Sequence, residues 1–313
     1  MTNTPPPWGA IGLGTWEFGS HLPPDRCRDL LDTHADIGGQ LIDTAPTYGP
    51  HADGSHHAES IIGDWLATTG TAIQVATKAG LNPATRRPDL APPRLLLSAD
   101  RSRDRLRRPH LDLLLLHRDD PQVPVDELAD TLNRLVTTGT TTAIGVSNWQ
   151  PARLDALATR LAASGHAPLH ATAPLWSLAR RSRTTTDPEL VEASPEHLAC
   201  ARTHRLHVLP YRAAALGFFA TTPHHEGGRH HAYQHATYHT PDNLARHQRA
   251  RRLARTLGAT PHQVALAWLC SSDLPVTPVV GATTPAQLRE SAAGCVLRLT
   301  DDHRRYLTGG GPL

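Results

Sequence analysis

Short apolar runs alternate with longer amphipathic segments along most of the chain. Eight runs are predicted to be strands: residues 10–15, 40–43, 73–77, 111–116, 142–146, 169–173, 207–210 and 277–280. Segments between them have helical periodicity, for example 26–37, 59–68, 94–106, 125–136, 152–163 and 195–203. Repeated alternation of strand and helix indicates parallel strands covered by helices. Eight such units predict an α/β fold, a (β/α)8 TIM barrel, rather than an open sheet.

Two polar stretches interrupt this alternation. Residues 180–193 follow the sixth predicted strand, and residues 221–243, rich in His, Gly, Thr and Pro, follow the seventh. Both are predicted to be long loops, which in a compact domain are usually functional or disordered. No segment has the composition of a linker, so residues 1–313 are predicted to form a single domain.

Composition argues against several classes of protein. The 313 residues include 31 Lys+Arg and 29 Asp+Glu, and no basic block indicates a nucleic-acid partner. No apolar run is long enough to span a bilayer, and the first residues do not resemble a signal peptide. The four cysteines, Cys27, Cys200, Cys270 and Cys295, form no C-x-x-C pair. They are predicted to be reduced thiols in a cytoplasmic protein.

Lysine is almost absent from the chain. Of the 31 basic residues, only Lys78 is a lysine and the other 30 are arginines. A biased codon pool would explain the arginines but not the exception. Arginine cannot replace lysine where a compact ammonium or a readily shifted pKa is needed. Lys78 is therefore a candidate functional residue, although a sole lysine also arises by chance.

Four side chains with useful chemistry lie at neighbouring strand ends. Asp43 ends the second predicted strand and Tyr48 follows it, Lys78 ends the third, and His117 ends the fourth. Catalytic residues of such barrels lie at the carboxyl ends of strands and in the loops that follow. Asp43 alone is usually a cap or turn residue, Tyr48 a packed aromatic and His117 a satisfied histidine. Their joint placement favours one shared site.

These four side chains suit the delivery of a proton to a carbonyl oxygen. A phenol with a pKa of about 10 is a poor acid at neutral pH, and a nearby ammonium lowers that pKa. Lys78 is therefore predicted to activate Tyr48, while Asp43 keeps Lys78 charged and in position. His117 would donate a hydrogen bond to the developing alkoxide while a hydride reaches the carbon.

Motifs in order along the chain resemble the aldo-keto reductase superfamily. They are IGLGTW (11–16), LIDTAPTYG (41–49), AESIIGDWL (58–66), VATKAG (75–80), LDLLLLHRDD (111–120), IGVSNW (144–149), TPHQVALAWL (260–269) and VVGATTPAQLRES (279–291). The resemblance covers residues 9–307. It implies a (β/α)8 barrel that binds NADPH in an extended form without a Rossmann domain. In agreement, Glu17 stands where a G-x-G-x-x-G fingerprint would need its third glycine.

The resemblance also implies residue roles. Asp43, Tyr48, Lys78 and His117 would form the catalytic tetrad, with Tyr48 as the general acid. The cofactor-binding residues would be Thr15, Trp16, Asp43, Ser147, Asn148, Tyr211, Arg212, Gly217, Gly281, Thr283, Gln287, Glu290 and Ser291. Among them, Ser147 and Asn148 would hold the nicotinamide carboxamide, and Tyr211 would stack on the ring. The substrate pocket would be lined by Trp16, Tyr48, His117 and Trp149, and no metal is implied.

Three positions depart from the family pattern. Ala173 stands where the family usually has a glutamine that completes the carboxamide contact. Arg212 replaces a serine beside the pyrophosphate and is expected to supply a phosphate contact itself. Ser291 replaces an adenine-binding asparagine, and residues 281–287 hold no Lys or Arg for a 2′-phosphate. The expected cofactor is NADPH on family grounds, with NADH as the alternative.

Two polar clusters and two tryptophans have more than one interpretation. Histidines in 224–235 lack H-E-x-x-H spacing, so a loop over the pocket is favoured over a metal site. The arginines of 246–255 are expected on a solvated helix face rather than a nucleic-acid patch. Trp149 and Trp176 could line the pocket or pack in the core.

The leading hypothesis is an NAD(P)H-dependent aldo-keto reductase that converts a small-molecule aldehyde or ketone to an alcohol. One alternative is a regulatory or sensor protein that binds the cofactor with little turnover. Another is a biosynthetic reductase that acts on a large carbonyl substrate.

Overall fold

The computed structural model describes residues 8–49, 57–182, 189–220 and 231–309. Within these ranges the strands are β1 (Gly12–Gly14), β2 (Leu41–Asp43), β3 (Gln74–Ala79), β4 (Leu111–Leu116), β5 (Thr141–Ser147), β6 (Leu169–Ala173), β7 (His207–Val208) and β8 (Val279–Val280). They are parallel and follow the order β7-β6-β5-β4-β3-β2-β1-β8 in one sheet. All eight overlap the strands predicted from the apolar runs.

Backbone hydrogen bonds join the two ends of this sheet. The Val208 N–H donates to the carbonyl of Pro275 at 2.9 Å, and the Val279 N–H donates to the carbonyl of Pro210 at 2.8 Å. The sheet therefore closes on itself, and the predicted (β/α)8 barrel is confirmed. Strands β7 and β8 are shorter than predicted because Pro210 and Pro278 have no N–H to donate to a ladder.

Helices cover the outside of the sheet and follow the strands in turn. They are α1 (Pro24–Asp36), α2 (Ala58–Thr69), α3 (Pro92–Leu106), α4 (Val125–Thr137), α5 (Pro151–Ala163), α6 (Pro195–Thr203), α7 (His231–Tyr238), α8 (Pro241–Leu257), α9 (Pro261–Cys270), α10 (Pro285–Val296) and α11 (Asp301–Gly309). Proline in the first turn suits a helix start because its missing N–H would be unpaired there. Side-chain oxygens of Ser194, Thr240, Thr260 and Thr284 accept backbone N–H groups at four of these starts.

The loop predicted over residues 221–243 is wrong in its second part. Residues 221–230 lie outside the described ranges, but α7 and the first turn of α8 occupy most of 231–243. Tyr238 at the end of α7 is fully buried, and its ring centroid lies 6.3 Å from that of Phe218. Polar residues dominate α7, so the hydrophobic pattern did not predict a helix there. The helix packs against the rest of the protein through its last turn. In the described part of the other predicted loop, residues 180–182 and 189–193 form no helix.

Large and small side chains fill the interior of the barrel. Leu113 and Leu115 of β4 pack with Ala76, Ala143 and other small residues in one buried cluster. Trp8, which precedes β1, belongs to the same cluster and is 1% exposed. Because apolar side chains fill the space between the strands, polar functional groups are left to the carboxyl ends of the strands and the loops that follow. None of the described helices is long and apolar enough to cross a membrane.

Three buried histidines predict a loss of stability in acid. Burial lowers the pKa of His34, His197 and His207 from 6.5 to about 4. The folded protein keeps these rings neutral, whereas the unfolded chain takes up their protons as the pH falls below about 6.5. We expect full stability above that pH. Below it, the free energy of unfolding falls by up to about 1.4 kcal/mol per pH unit for each histidine until the pH reaches about 4.

Urea unfolding across this pH range measures the effect. Between about pH 4 and 6.5, His197→Asn should reduce the slope of the unfolding free energy against pH by the share of one histidine. This holds even if the variant is less stable at neutral pH. His110→Asn, at an exposed position, is the matched control and should leave the slope unchanged. A slope that His197→Asn does not alter would contradict the prediction.

Candidate active site

Three of the four residues predicted from strand ends meet at the carboxyl edge of the sheet. Asp43 is the last residue of β2, Lys78 lies one residue before the end of β3, and His117 directly follows β4. The parallel register pairs Asp43 with Ala76 and Lys78 with Leu115, which brings these strand ends to one level. The barrel therefore gathers side chains that are far apart in the sequence.

A buried ion pair forms the floor of this site. The Lys78 Nζ donates to Asp43 Oδ1 at 2.6 Å and to the Thr44 carbonyl oxygen at 2.9 Å. The side chains of Lys78 and Asp43 are only 5% and 6% exposed. Burial alone would lower the pKa of Lys78, but the charge of Asp43 and the nearby Tyr48 raise it on balance. The ammonium is therefore charged at neutral pH and held in one place.

Tyr48 lies over this pair and is surrounded by aromatic rings. The Lys78 Nζ is 4.6 Å from the centroid of the Tyr48 ring. The Tyr48 ring packs edge-on against Trp16, with centroids 5.1 Å apart, and against His117 at 6.0 Å. The four tetrad candidates are therefore neighbours, and Trp16 lies beside them with 40% of its surface exposed.

Contacts between the loops after β1 and β2 fix the position of Tyr48. The Thr15 N–H and hydroxyl both donate to the Asp43 carbonyl oxygen, at 3.1 and 2.9 Å. The Gly49 N–H donates to the Trp16 carbonyl oxygen at 3.0 Å. Gly49 has a φ of +69°, and a Cβ there would lie 2.0 Å from the Phe18 carbonyl oxygen. Only glycine fits, so the turn holds Tyr48 close to the first loop.

The net direction of the Tyr48 pKa differs from the prediction. Burial raises this pKa above its ordinary value, and Lys78 lowers it only in part, while Asp43 raises it further. Burial outweighs the attraction of the Lys78 cation for the phenolate, and the Asp43 carboxylate opposes that attraction. The pKa of His117 lies well below its ordinary value, first through burial and then through Lys78, Arg118 and Arg86. His117 is therefore a neutral hydrogen-bond donor, and Tyr48 keeps its proton.

Asn148 links the loops after β5, β6 and β7. Its Nδ2 donates to the Ser147 hydroxyl at 3.2 Å and to the His117 carbonyl oxygen at 3.3 Å. Its Oδ1 accepts the Tyr211 hydroxyl at 2.5 Å and the Val191 N–H at 3.2 Å. Asn148 has a positive φ of 60°, which asparagine tolerates better than most residues. The predicted carboxamide-binding residues are therefore adjacent to one another and to His117.

Arg212, predicted to contact a phosphate, packs against α7. Its Nη1 donates to the Tyr233 hydroxyl at 3.0 Å, and its guanidinium lies 5.1 Å from the Tyr233 ring centroid. The Gln234 Nε2 donates to the Leu216 carbonyl oxygen at 2.7 Å, beside Gly217. Helix α7, which the sequence pattern concealed, therefore shapes the loop that follows β7.

The residues predicted around the adenosine end divide into exposed and enclosed groups. Gly281 is exposed, and a Cβ there would meet only the Gly14 carbonyl oxygen at 4.0 Å. The Thr283 N–H and hydroxyl both donate to Gln287 Oε1 at 2.9 Å, at the exposed start of α10. Ser291 is only 2% exposed.

The polar groups of Ser291 and Glu290 already have partners within the protein. The Ser291 hydroxyl donates to the Gln287 carbonyl oxygen at 2.9 Å and hydrogen-bonds with His262 Nε2 at 2.9 Å. Glu290 Oε1 accepts the Thr260 hydroxyl at 2.7 Å. These contacts join α10 to α9, so the structure does not present Ser291 to a ligand.

The tryptophans that could have lined the pocket are packed. Trp149 is fully buried in the layer between sheet and helices, with the Arg153 guanidinium 5.6 Å from its ring centroid. Trp176 is 6% exposed and packs edge-on against Trp268. The burial of Trp149 does not support its predicted contact with substrate.

Arg86 is a candidate pocket residue that the sequence reasoning missed. It lies in the loop after β3 with a φ of 55°, and its guanidinium is 5.3 Å from the Trp16 ring centroid. Its charge also lowers the pKa of Tyr48 and His117. The only available signal was a pair of arginines in a polar loop that follows a strand with a catalytic candidate.

The polar groups in the loops at the carboxyl ends of the strands are of the kinds that bind an extended dinucleotide. Ser147 and Asn148 offer a hydroxyl and an amide, and Tyr211 offers an aromatic face. Arg212 supplies a cation, and the open surface at Gly281 continues into the N-terminus of α10, which favours anions. The described residues therefore suit a nicotinamide dinucleotide, with no cationic side chain in residues 281–287.

Comparisons with known proteins identify relatives of this chain. Residues 10–309 match the sequence model of the Aldo/keto reductase family. The chain is 27% identical over 319 residues to "Probable aldo-keto reductase 1" of Glycine max, covering 98% of this chain and 85% of that protein. It is 33% identical over 181 residues to "Aldo-keto reductase YhdN" of Bacillus subtilis, covering 55% of this chain and 51% of that protein. The match to "Oxidoreductase YdhF" of Escherichia coli likewise spans 54% of that relative.

A solved structure supports the fold assignment over nearly the whole chain. The glycerol dehydrogenase AKR11B4 from Gluconobacter oxydans is similar with a TM-score of 0.78 and 27% identity. The similarity covers 99% of this chain and 95% of that chain. The chain therefore belongs to the aldo/keto reductase family, a family of oxidoreductases.

Proposed function

We propose that this protein is an NAD(P)H-dependent reductase that converts an aldehyde or ketone to an alcohol. The observation that supports this most is the buried Lys78–Asp43 pair beneath Tyr48, next to a neutral His117. A protonated phenol, a fixed ammonium and a neutral imidazole donor suit a carbonyl oxygen that gains negative charge. The presence of all four side chains favours an enzyme over a sensor with little turnover.

Each residue has a defined task in this proposal. Ser147, Asn148 and Tyr211 would hold a nicotinamide, which when bound would provide the hydride for the carbonyl carbon. Tyr48 donates its phenolic proton to the carbonyl oxygen and becomes a phenolate, which the Lys78 ammonium stabilises. Asp43 keeps Lys78 charged and in place. His117 donates its N–H to the same oxygen and orients the carbonyl group toward Tyr48.

The proposed cofactor is NADPH, with NADH as the alternative. Ser147 and Asn148 would hold the carboxamide, and Tyr211 would exchange its bond to Asn148 for a place against the ring. Arg212 would contact a phosphate, a charge-assisted interaction that is stronger than a neutral hydrogen bond. The cofactor's adenosine end would lie over Gly281 and the start of α10.

Tyr48→Phe tests the acid role. We expect turnover to fall by roughly 100- to 10,000-fold because the carbonyl oxygen loses its proton donor. Cofactor binding should be retained, since the ring remains. Initial rates with a panel of small aldehydes and bulky ketones, and cofactor fluorescence, measure the two effects. Tyr306→Phe, in α11, is the matched control and should keep wild-type turnover. Wild-type turnover in Tyr48→Phe would remove Tyr48 from this role.

Lys78→Met tests the buried ion pair. We expect a loss of about 3–5 kcal/mol of stability, because Asp43 would be left as an uncompensated buried charge. The double variant with Asp43→Asn should recover much of that loss but not the activity. Urea unfolding and initial rates give both quantities. Equal destabilisation in the single and double variants would mean that packing, not charge, dominates.

Arg212→Ala tests the phosphate contact. We expect the affinity for NADPH and for NADH to fall by the same factor, roughly 10- to 100-fold, because both share the pyrophosphate. Fluorescence titrations with each cofactor measure this. Arg289→Ala, at an exposed position on α10, is the companion variant. In Arg289→Ala, a loss of affinity for NADPH alone would identify a contact between Arg289 and the 2′-phosphate. In Arg212→Ala, unchanged affinities for both cofactors would contradict the proposed role of Arg212.

A further inference from the structure

Three side chains of metal-binding type meet on the outer helices of the barrel. Asp155 lies in α5, Cys200 lies in α6, and His204 is the residue that ends α6. One potential ligand atom from each lies within 4.8 Å of the other two. None of the three belongs to the tetrad or to the proposed cofactor site.

The helix geometry explains why these groups converge. Cys200 and His204 are four residues apart, so their side chains lie on the same face one turn from each other. Asp155 approaches from the neighbouring helix, and the His204 Nε2 donates to Asp155 Oδ1 at 2.7 Å. Exposure to solvent increases across the cluster. Cys200 is 8% exposed, whereas the side chains of His204 and Asp155 are 18% and 58% exposed.

We propose that Asp155, Cys200 and His204 form a binding site for Zn²⁺. A set of one sulfur, one imidazole nitrogen and one carboxylate oxygen suits zinc, whereas Ca²⁺ and Mg²⁺ require oxygen ligands. Three protein ligands leave the fourth tetrahedral position for water, which can enter from the exposed Asp155 side. This inference does not depend on the proposed reductase activity.

The present spacing needs only small side-chain movements to reach zinc geometry. With metal–ligand bonds of about 2.0–2.3 Å, neighbouring ligand atoms in a tetrahedron are roughly 3.3–3.6 Å apart. The bonded His204 and Asp155 atoms, at 2.7 Å, are closer than this, and the 4.8 Å limit for the whole set is wider. The histidine and aspartate would separate by under about 1 Å to reach this spacing.

Zinc binding here is a substitution of the metal for protons, with no change of oxidation state. The Cys200 thiol proton passes to solvent as the Zn–S bond forms. His204 binds as a neutral imidazole, so the proton on the nitrogen that faces Asp155 is exchanged through solvent to the other ring nitrogen as the Zn–N and Zn–O bonds form. Because the metal displaces the thiol proton, affinity should increase with pH.

Co²⁺ is the probe because it takes zinc ligands and reports a thiolate by a near-ultraviolet charge-transfer band. We expect the reduced, metal-free full chain to develop this band, saturate at one equivalent and lose the band when Zn²⁺ is added. Cys200→Ser and His204→Gln should abolish or greatly weaken it. Cys270→Ser is the matched control and should retain it, since Cys270 is outside the cluster. The other histidines cannot produce a thiolate band.

Each result of this experiment decides the proposal. No thiolate band in the wild type, or a band that survives Cys200→Ser, would overturn it. A band that survives His204→Gln at wild-type affinity would rule out the three-residue site. If circular dichroism shows that Cys200→Ser does not fold, the variants His204→Gln and Asp155→Asn still test the proposal. In both, a shift of the titration midpoint to at least tenfold higher Co²⁺ is expected, and unchanged midpoints would overturn the site.

Discussion

The buried pair of Lys78 and Asp43 is the interaction on which the candidate site depends. Two charges with side chains under 7% exposed lose nearly all their hydration, and such a pair is tolerated only with excellent geometry and further hydrogen bonds. The 2.6 Å contact and the additional bond to the Thr44 carbonyl oxygen meet that condition. Both residues end neighbouring strands, so the barrel register, rather than a flexible loop, sets their separation. Without Asp43, burial would favour the neutral amine at Lys78.

The same pair divides the chemistry between its two neighbours. Burial outweighs the attraction of the ammonium, which the Asp43 carboxylate also opposes, and the phenol keeps its proton. The ammonium also adds to the burial that keeps His117 neutral. In the proposed mechanism these two neighbours have different roles, a proton donor and a neutral hydrogen-bond partner, which burial and the nearby charges set together.

The sequence was sufficient for the placement of the tetrad because strand ends in a parallel barrel meet at one edge. Apolar runs locate β2, β3 and β4, and the residue at each end follows directly. The sequence was insufficient to predict the direction of the Tyr48 pKa shift. Residue types reveal which charges are nearby, but not whether the cost of burial or the attraction of the Lys78 cation is larger. The burial of Trp149, the partners of Ser291 and the helix α7 depend on packing between distant segments. The position of Arg86 depends on a left-handed backbone conformation that nothing in its neighbours specifies.

The chain's arginines show why the exception at Lys78 is chemical rather than accidental. Arg153 uses two nitrogens of its planar fork: its Nε lies 2.9–3.0 Å from both Asp119 oxygens, and its Nη2 donates to two backbone carbonyl groups. At Lys78 two close acceptors and an aromatic face surround one nitrogen. A guanidinium there would bury donors without acceptors, and each unpaired donor costs about 1–3 kcal/mol. A compact ammonium is therefore the cation that this position can hold.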